Sequence, residues 1–175
     1  MRSVEYNYRD DLKRYDGKAE TYIHIWLYLY RKCCCCKTQV LKILYKVAFR
    51  FWSNRRGLEI STVNPIGGGI YIGHAYNITI NCRAKIGRNC NIHKGVVIGQ
   101  VNRGPRKGYP TIGDRVWIGI NSAIVGKVTI GDDVLIAPNS FVNVDIPSHS
   151  VVFGNPCVIK HRDWATEDYV NNIVE

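Results

Sequence analysis

The sequence predicts an all-β solenoid behind a short helical region, and three observations carry that prediction. A branched apolar residue returns at a step of six through Ile80, Ile86, Ile92 and Ile98, then again from Ile112 through Ile118, Ile124, Ile130 and Ile136 to Val142. Glycine follows directly at positions 87, 99, 113, 119 and 131. A second small or branched residue stands two places earlier, at Ala84, Cys90, Val96, Val116, Ser122, Val128, Val134 and Ser140. A helix needs apolar spacings of three and four and a half-buried strand a spacing of two, so a step of six fits neither. It fits a stack of short strands and turns in which each unit buries one side chain against its neighbours above and below. A β-sandwich would instead place its turn signals about every 8–12 residues.

The chain of 175 residues is one domain's worth with an appended cap, and 46% hydrophobic residues are enough to build a core. A formal net charge of +10 favours anionic partners: nucleic acid, an acidic membrane surface or a phosphorylated small molecule. The basic residues are spread over a helix and a loop rather than gathered on one reading element, so nucleic acid is not expected. Among seven cysteines, Cys33 to Cys36 are too close together for a disulfide framework, and Cys82 and Cys90 fill small-residue places in the repeat. This usage points to a reducing cytosol, and no paired Cys-x-x-Cys units mark a metal site.

Taken in order, residues 1–20 are charged and tyrosine-rich without the layout of a signal peptide, and are expected to form a short helix or an arm. Tyr22 to Tyr30 is an aromatic apolar run about half the length of a membrane span. From Thr38 to Trp52, apolar residues at 40, 41, 43, 44, 47, 48, 51 and 52 oppose Lys42, Lys46 and Arg50, which is an amphipathic helix with a basic stripe. Packing against the end of the solenoid is its expected fate, and peripheral contact with an anionic membrane is the competing one. Gly57 ends that helix, and the solenoid begins through Ile66, Ile72 and Ile78. Between Ile98 and Ile112 a loop is thrown out, Val101-Asn102-Arg103-Gly104-Pro105-Arg106-Lys107-Gly108-Tyr109. Val151 to Ile159 closes the solenoid, and Asp163 to Val174 is expected to be a short helix. The expected units are a helical N-terminal region over 1–57, the solenoid with its loop 100–110 over 58–160, and a tail over 161–175.

The six-residue period from about Glu59 to Ile159 resembles the hexapeptide-repeat acyltransferases. The resemblance implies a left-handed parallel β-helix, three hexads to a coil. Gly73-His74-Ala75, fifteen residues after Leu58-Glu59-Ile60, resembles the catalytic segment of the family's serine acetyltransferase branch. In that branch a histidine takes the proton of the acceptor hydroxyl and an acidic residue orients it, which implies those roles for His74 and Glu59. The chemistry is sound: a hydroxyl attacks a thioester at useful speed only if its proton is removed during the attack, and an imidazole titrates in the range to do that.

The resemblance has departures. The branch has an aspartate where this chain has Gly73, and an Arg-His pair where it has Gly108-Tyr109. Those lost groups are the ones expected to hold an amino acid. The resemblance therefore runs toward the capsular and exopolysaccharide O-acetyltransferases, with a sugar hydroxyl on a lipid-linked precursor as the expected acceptor. Serine and an inactive scaffold are the alternatives. His93, in a slot that other repeats give to glycine, and Tyr109 are expected acceptor contacts. Three cations within five residues suit phosphates. The resemblance implies acetyl-CoA as cosubstrate, with Arg103, Arg106 and Lys107 on its phosphates and Gln100 and Ile120 near its pantetheine arm. It also implies a homotrimer with the site between subunits, in the cytoplasm, at the inner face of the membrane if the basic helix touches lipid. A three-histidine zinc site is not expected, since only His74 and His93 of five histidines lie in the early repeats.

Overall fold

The structure is a computed structural model that describes residues 8–175. The expectation for residues 1–7 lies outside the described residues; the segment that follows forms helix α1 (Tyr8–Lys13).

The hexads stack as a three-sided parallel β-solenoid. One face carries β1 (Leu58–Ile60), β3 (Ile78–Ile80), β6 (Val97–Gly99), β9 (Ala123–Val125) and β12 (Phe141–Val142). A second carries β2 (Tyr71–Gly73), β5 (Asn91–His93), β8 (Trp117–Ile118), β11 (Val134–Ile136), β13 (Ser150–Phe153) and β14 (Val158–His161). The third carries β4 (Lys85–Ile86), β7 (Thr111–Ile112) and β10 (Thr129–Ile130). Every pairing among these strands is parallel except β13 with β14, where the chain folds back and caps the stack. The isoleucines of the repeat fill the interior: Ile92, Ile98, Ile118, Ile124 and Ile136 have no accessible surface. Each such side chain contributes roughly 1.5–3 kcal/mol on leaving water.

The register corrects one sequence expectation. On the first face Ile60, Ile80, Ile98, Ile124 and Val142 are successive partners. The regular coil is therefore 18 residues (80 to 98), with two residues added between 60 and 80 and eight between 98 and 124. Ile78 pairs with Leu58, not with the hexad isoleucines. Because Ile66 and Ile72 keep the step of six from Ile60, the two added residues fall between Ile72 and Ile80, at the corner that carries His74.

Helices α2 (Thr21–Cys35) and α3 (Gln39–Asn54) form a hairpin over the first coil. It is α2 that supplies the cap, burying Tyr22, Ile23, Trp26, Leu27, Leu29, Tyr30 and Cys33. Asp11 and Arg31 lock it down. Arg31 donates to both carboxylate oxygens of Asp11 at 2.7 and 2.8 Å and to the carbonyls of Ile66 and Gly67, while Asp11 accepts from the Gly69 and Ile70 amides. The expectation that α3 packs its apolar stripe on the solenoid is corrected. Only Phe49 and Ser53 of α3 are buried, and Val40, Ile43, Leu44 and Val47 remain 60–68% exposed. The aromatic run of α2 has taken the end of the solenoid instead. Among the described residues no helix is long and apolar enough to cross a membrane.

The expected C-terminal helix is also corrected: residues 162–175 form turns, with positive φ at Trp164, Asp168 and Asn172 breaking any helix. Corner residues of the solenoid offer the tail better partners. The Asp133 carboxylate accepts from the amides of Ala165 and Thr166 and from the Thr166 hydroxyl, and Asn89 exchanges two bonds with Val174. The tail thus runs back along one edge toward the first coils.

Candidate active site

His74 sits at the widened corner between β2 and β3, in a left-handed conformation (φ 51°). Two extra residues push the chain out there, and a γ-turn bond from the Tyr76 amide to the His74 carbonyl (2.7 Å) holds the bulge. The imidazole is exposed and makes no hydrogen bond among the described residues. It lines a cavity of about 140 Å³ with Tyr15, Lys18, Glu20, Tyr71 and Ala75. An imidazole left without an internal partner beside a cavity keeps a nitrogen lone pair for a ligand's hydroxyl.

His93 lies one coil above, paired across β2 and β5 with Gly73. A β-carbon on Gly73 would overlap Nδ1 of His93 and stand 2.5 Å from its Cε1, so only glycine leaves room for this ring. The rings of His93 and His74 are 6.5 Å apart, and Trp117 packs on His93 from the next coil at 4.8 Å. Nε2 of His93 is buried with no hydrogen-bond partner among the described residues. Burial, and then the neighbouring His74, push its imidazole from the usual 6.5 down to about 4, so the ring is neutral at physiological pH.

A cleft of about 310 Å³ opens beside His93, walled by Tyr71, Trp117, Arg14 and Lys18 on one side and by Tyr169 and Asn171 of the tail on the other. Asn91 ties both walls together: its amide oxygen accepts from Arg14 and its amide nitrogen donates to the Tyr169 carbonyl at 2.9 Å. Sequence reasoning missed these walls. Stacking the hexads into coils would have placed Tyr71, Asn91 and Trp117 in one outward column, since each directly precedes a core isoleucine. The two terminal segments gave no such signal.

The other expected residues are dispersed within the protomer. Glu59 is not hydrogen-bonded to His74; its carboxylate accepts from the Thr79 hydroxyl at 3.3 Å and faces a different cavity, under α3. The loop 100–110 stands at the far edge of the first face as a small antiparallel ladder closed between Val101 and Gly108. There Arg106 pairs with Asp145 at 3.0 Å, while Arg103, Lys107 and Tyr109 project into solvent. Gln100 is engaged by Asn81 and Asn102. Ile120 lies at the His74 edge rather than with the loop, its carbonyl accepting from the Asn139 amide. Among the described residues no three His, Cys, Asp or Glu side chains gather as a metal site.

The family profile described as bacterial transferase hexapeptide (six repeats) matches residues 109–144. The chain is 33% identical over 150 residues to a serine acetyltransferase of Staphylococcus xylosus, covering 85% of this chain and 66% of that protein. Soybean serine acetyltransferase apoenzyme superposes with a TM-score of 0.74 at 23% identity, over 87% of this chain and 67% of that one. The Neisseria gonorrhoeae serine acetyltransferase in complex with serine gives a TM-score of 0.68 at 26% identity over the same shares. The chain spans between 36% and 66% of the lengths of the curated relatives it matches. These relatives are named for serine and not for a sugar, which overturns the expectation of a polysaccharide precursor as acceptor and leaves the likeness to capsular enzymes without support. The shared fold is the left-handed β-helix that the resemblance to hexapeptide-repeat acyltransferases implies. By its repeats, its coil geometry and these likenesses, the chain belongs to the bacterial hexapeptide-repeat transferase family.

Proposed function

We propose that this chain is an acetyl-CoA-dependent serine O-acetyltransferase working as a homotrimer. The observation that carries the reading is the exposed imidazole of His74, with no hydrogen-bond partner among the described residues, on a bulged corner beside a small cavity. In this reading His74 takes the proton of the serine hydroxyl as its oxygen attacks the thioester carbonyl. The tetrahedral intermediate collapses, the C–S bond breaks, and the coenzyme leaves as a thiolate that regains the proton from the imidazolium. No covalent acyl-enzyme is required.

The trimer is supported by the placement of the parts. His74 stands at one edge of the first face and the basic loop at the other, so a single protomer does not bring base and cations together. A neighbour whose loop edge meets the His74 edge completes the site. Arg103 and Lys107 then bind the coenzyme's phosphates, with Arg106 held in place by Asp145. Tyr109, beside them, reaches toward the acceptor, and His93 contributes a neutral ring near the base. Glu59 serves as orienter of His74 only if its carboxylate leaves Thr79.

Free-thiol release from acetyl-CoA, followed with L-serine and with a panel of sugars, tests the reading. Serine-dependent release is expected; no release with serine above the rate of hydrolysis overturns it.

A further inference from the structure

With glycine rather than an acidic residue directly before the base, the charged ends of an amino acid need other partners. Position 73 is closed to any side chain, because a β-carbon there would overlap His93. The remaining wall of the His74 cavity supplies both charges. Glu20 is extended (φ −60°, ψ 148°) just ahead of α2, and Lys18 and Glu20 both line that cavity with His74. Ala19, between them, packs on the core.

We infer that Lys18 and Glu20 form the amino-acid clamp, Lys18 taking the α-carboxylate and Glu20 the α-ammonium of an acceptor whose hydroxyl faces His74. The inference rests on the serine reading above and adds the residues that select serine. Glu20 is preorganised to accept an ammonium, since Arg56 donates to one of its carboxylate oxygens at 2.8 Å and the other has no hydrogen-bond partner among the described residues. Arg56 is itself fixed between the rings of Tyr22 and Tyr76, 3.9 and 4.7 Å from their centroids. Tyr15 anchors the segment, its hydroxyl accepting from the Ile72 amide at 2.7 Å. Among the described residues the Lys18 ammonium has only a 3.9 Å contact with Asp16, which leaves it available to a ligand. Charge-assisted bonds of this kind are the strong ones, and they distinguish a zwitterion from a neutral sugar hydroxyl.

The test is steady-state kinetics of wild type, Lys18→Ala and Glu20→Gln with L-serine, ethanolamine (no carboxylate) and 3-hydroxypropionate (no ammonium). Lys18→Ala is expected to raise KM for serine on the order of 10- to 100-fold with little change in kcat, and to leave ethanolamine unaffected. Glu20→Gln is expected to do the same for serine and to leave 3-hydroxypropionate unaffected. Both side chains are exposed, and unchanged thermal unfolding verifies that the variants fold. If wild type acetylates serine while both variants keep its KM, the clamp is overturned and the serine reading stands. If wild type does not use serine, that reading falls and the clamp falls with it.

Discussion

Gly73 and His93 are a matched pair across neighbouring coils: the imidazole of His93 occupies the space that any side chain at position 73 would need. An acidic side chain beside the base would collide with this ring as it is placed. The pairing predicts a coupling. Gly73→Ala is expected to destabilise the protein by about 1–3 kcal/mol through overpacking, measured by urea unfolding. Adding His93→Ala to that variant should recover part of the loss, a double-mutant coupling of about 1 kcal/mol or more. Strictly additive effects would show that the two positions do not contend for space.

The half-buried ring of His93 gives stability a defined pH dependence. Burial and the nearby His74 lower its imidazole from 6.5 to about 4, so between those values the unfolded chain binds a proton that the folded chain refuses. Above about pH 6.5 the group contributes no pH dependence. As pH falls from about 6.5 toward 4 it should cost on the order of 2–3 kcal/mol in total. His93→Phe should flatten this segment of the stability curve, read from denaturant midpoints across the range.

Asp11 and Arg31 fasten the N-terminal region to the first coil, and neither side chain is more than 5% exposed. Asp11→Ala would leave the buried Arg31 guanidinium without its carboxylate counter-charge. The expected cost is about 3–5 kcal/mol, with early loss of protection at the amides of residues 67–72 in hydrogen exchange. A cost near zero would mean that water replaces the carboxylate freely.

Glu59 tests whether a carboxylate orients the base. Its bond to Thr79 in the protomer leads to the expectation that Glu59→Gln lowers kcat by about 10-fold or less, well short of removing a general base, which typically costs 10²–10⁴-fold. Equal losses in Glu59→Gln and His74→Ala would mean that the two residues act as a unit and that the carboxylate moves to the imidazole.

Much of the fold was legible in the sequence because one physical constraint repeats: each coil must bury an isoleucine, and a glycine beside it lets the next coil approach. At Gly87 and Gly113, for example, a β-carbon would run into the backbone or side chain of the coil above. Register was not legible at the widened corner, where Ile78 continues the step of six by coincidence and only the pairing with Leu58 reveals the two added residues. The amphipathic pattern of α3 does specify a helix, but a pattern cannot say which of two neighbouring helices wins the end of the solenoid. Here α2 did, burying Tyr22, Trp26 and Tyr30 where α3 buries Phe49 alone among its aromatic residues. The tail misled because its composition permits a helix, whereas Asp133 and Asn89 offer its backbone stronger local partners. His74 stood out as a motif. Its cavity depends on Lys18 and Glu20, whose approach is tertiary and leaves no mark in the repeat.

Whether His74 is the base of a serine acetyltransferase is decided by mass-spectrometric detection of O-acetylserine formed from acetyl-CoA and L-serine, with wild type and His74→Ala at equal concentration. Product is expected with wild type, and a rate lower by about 10²–10⁴-fold in the variant, with coenzyme affinity and unfolding midpoint unchanged. Product formed at the same rate by both proteins would remove His74 from the reaction.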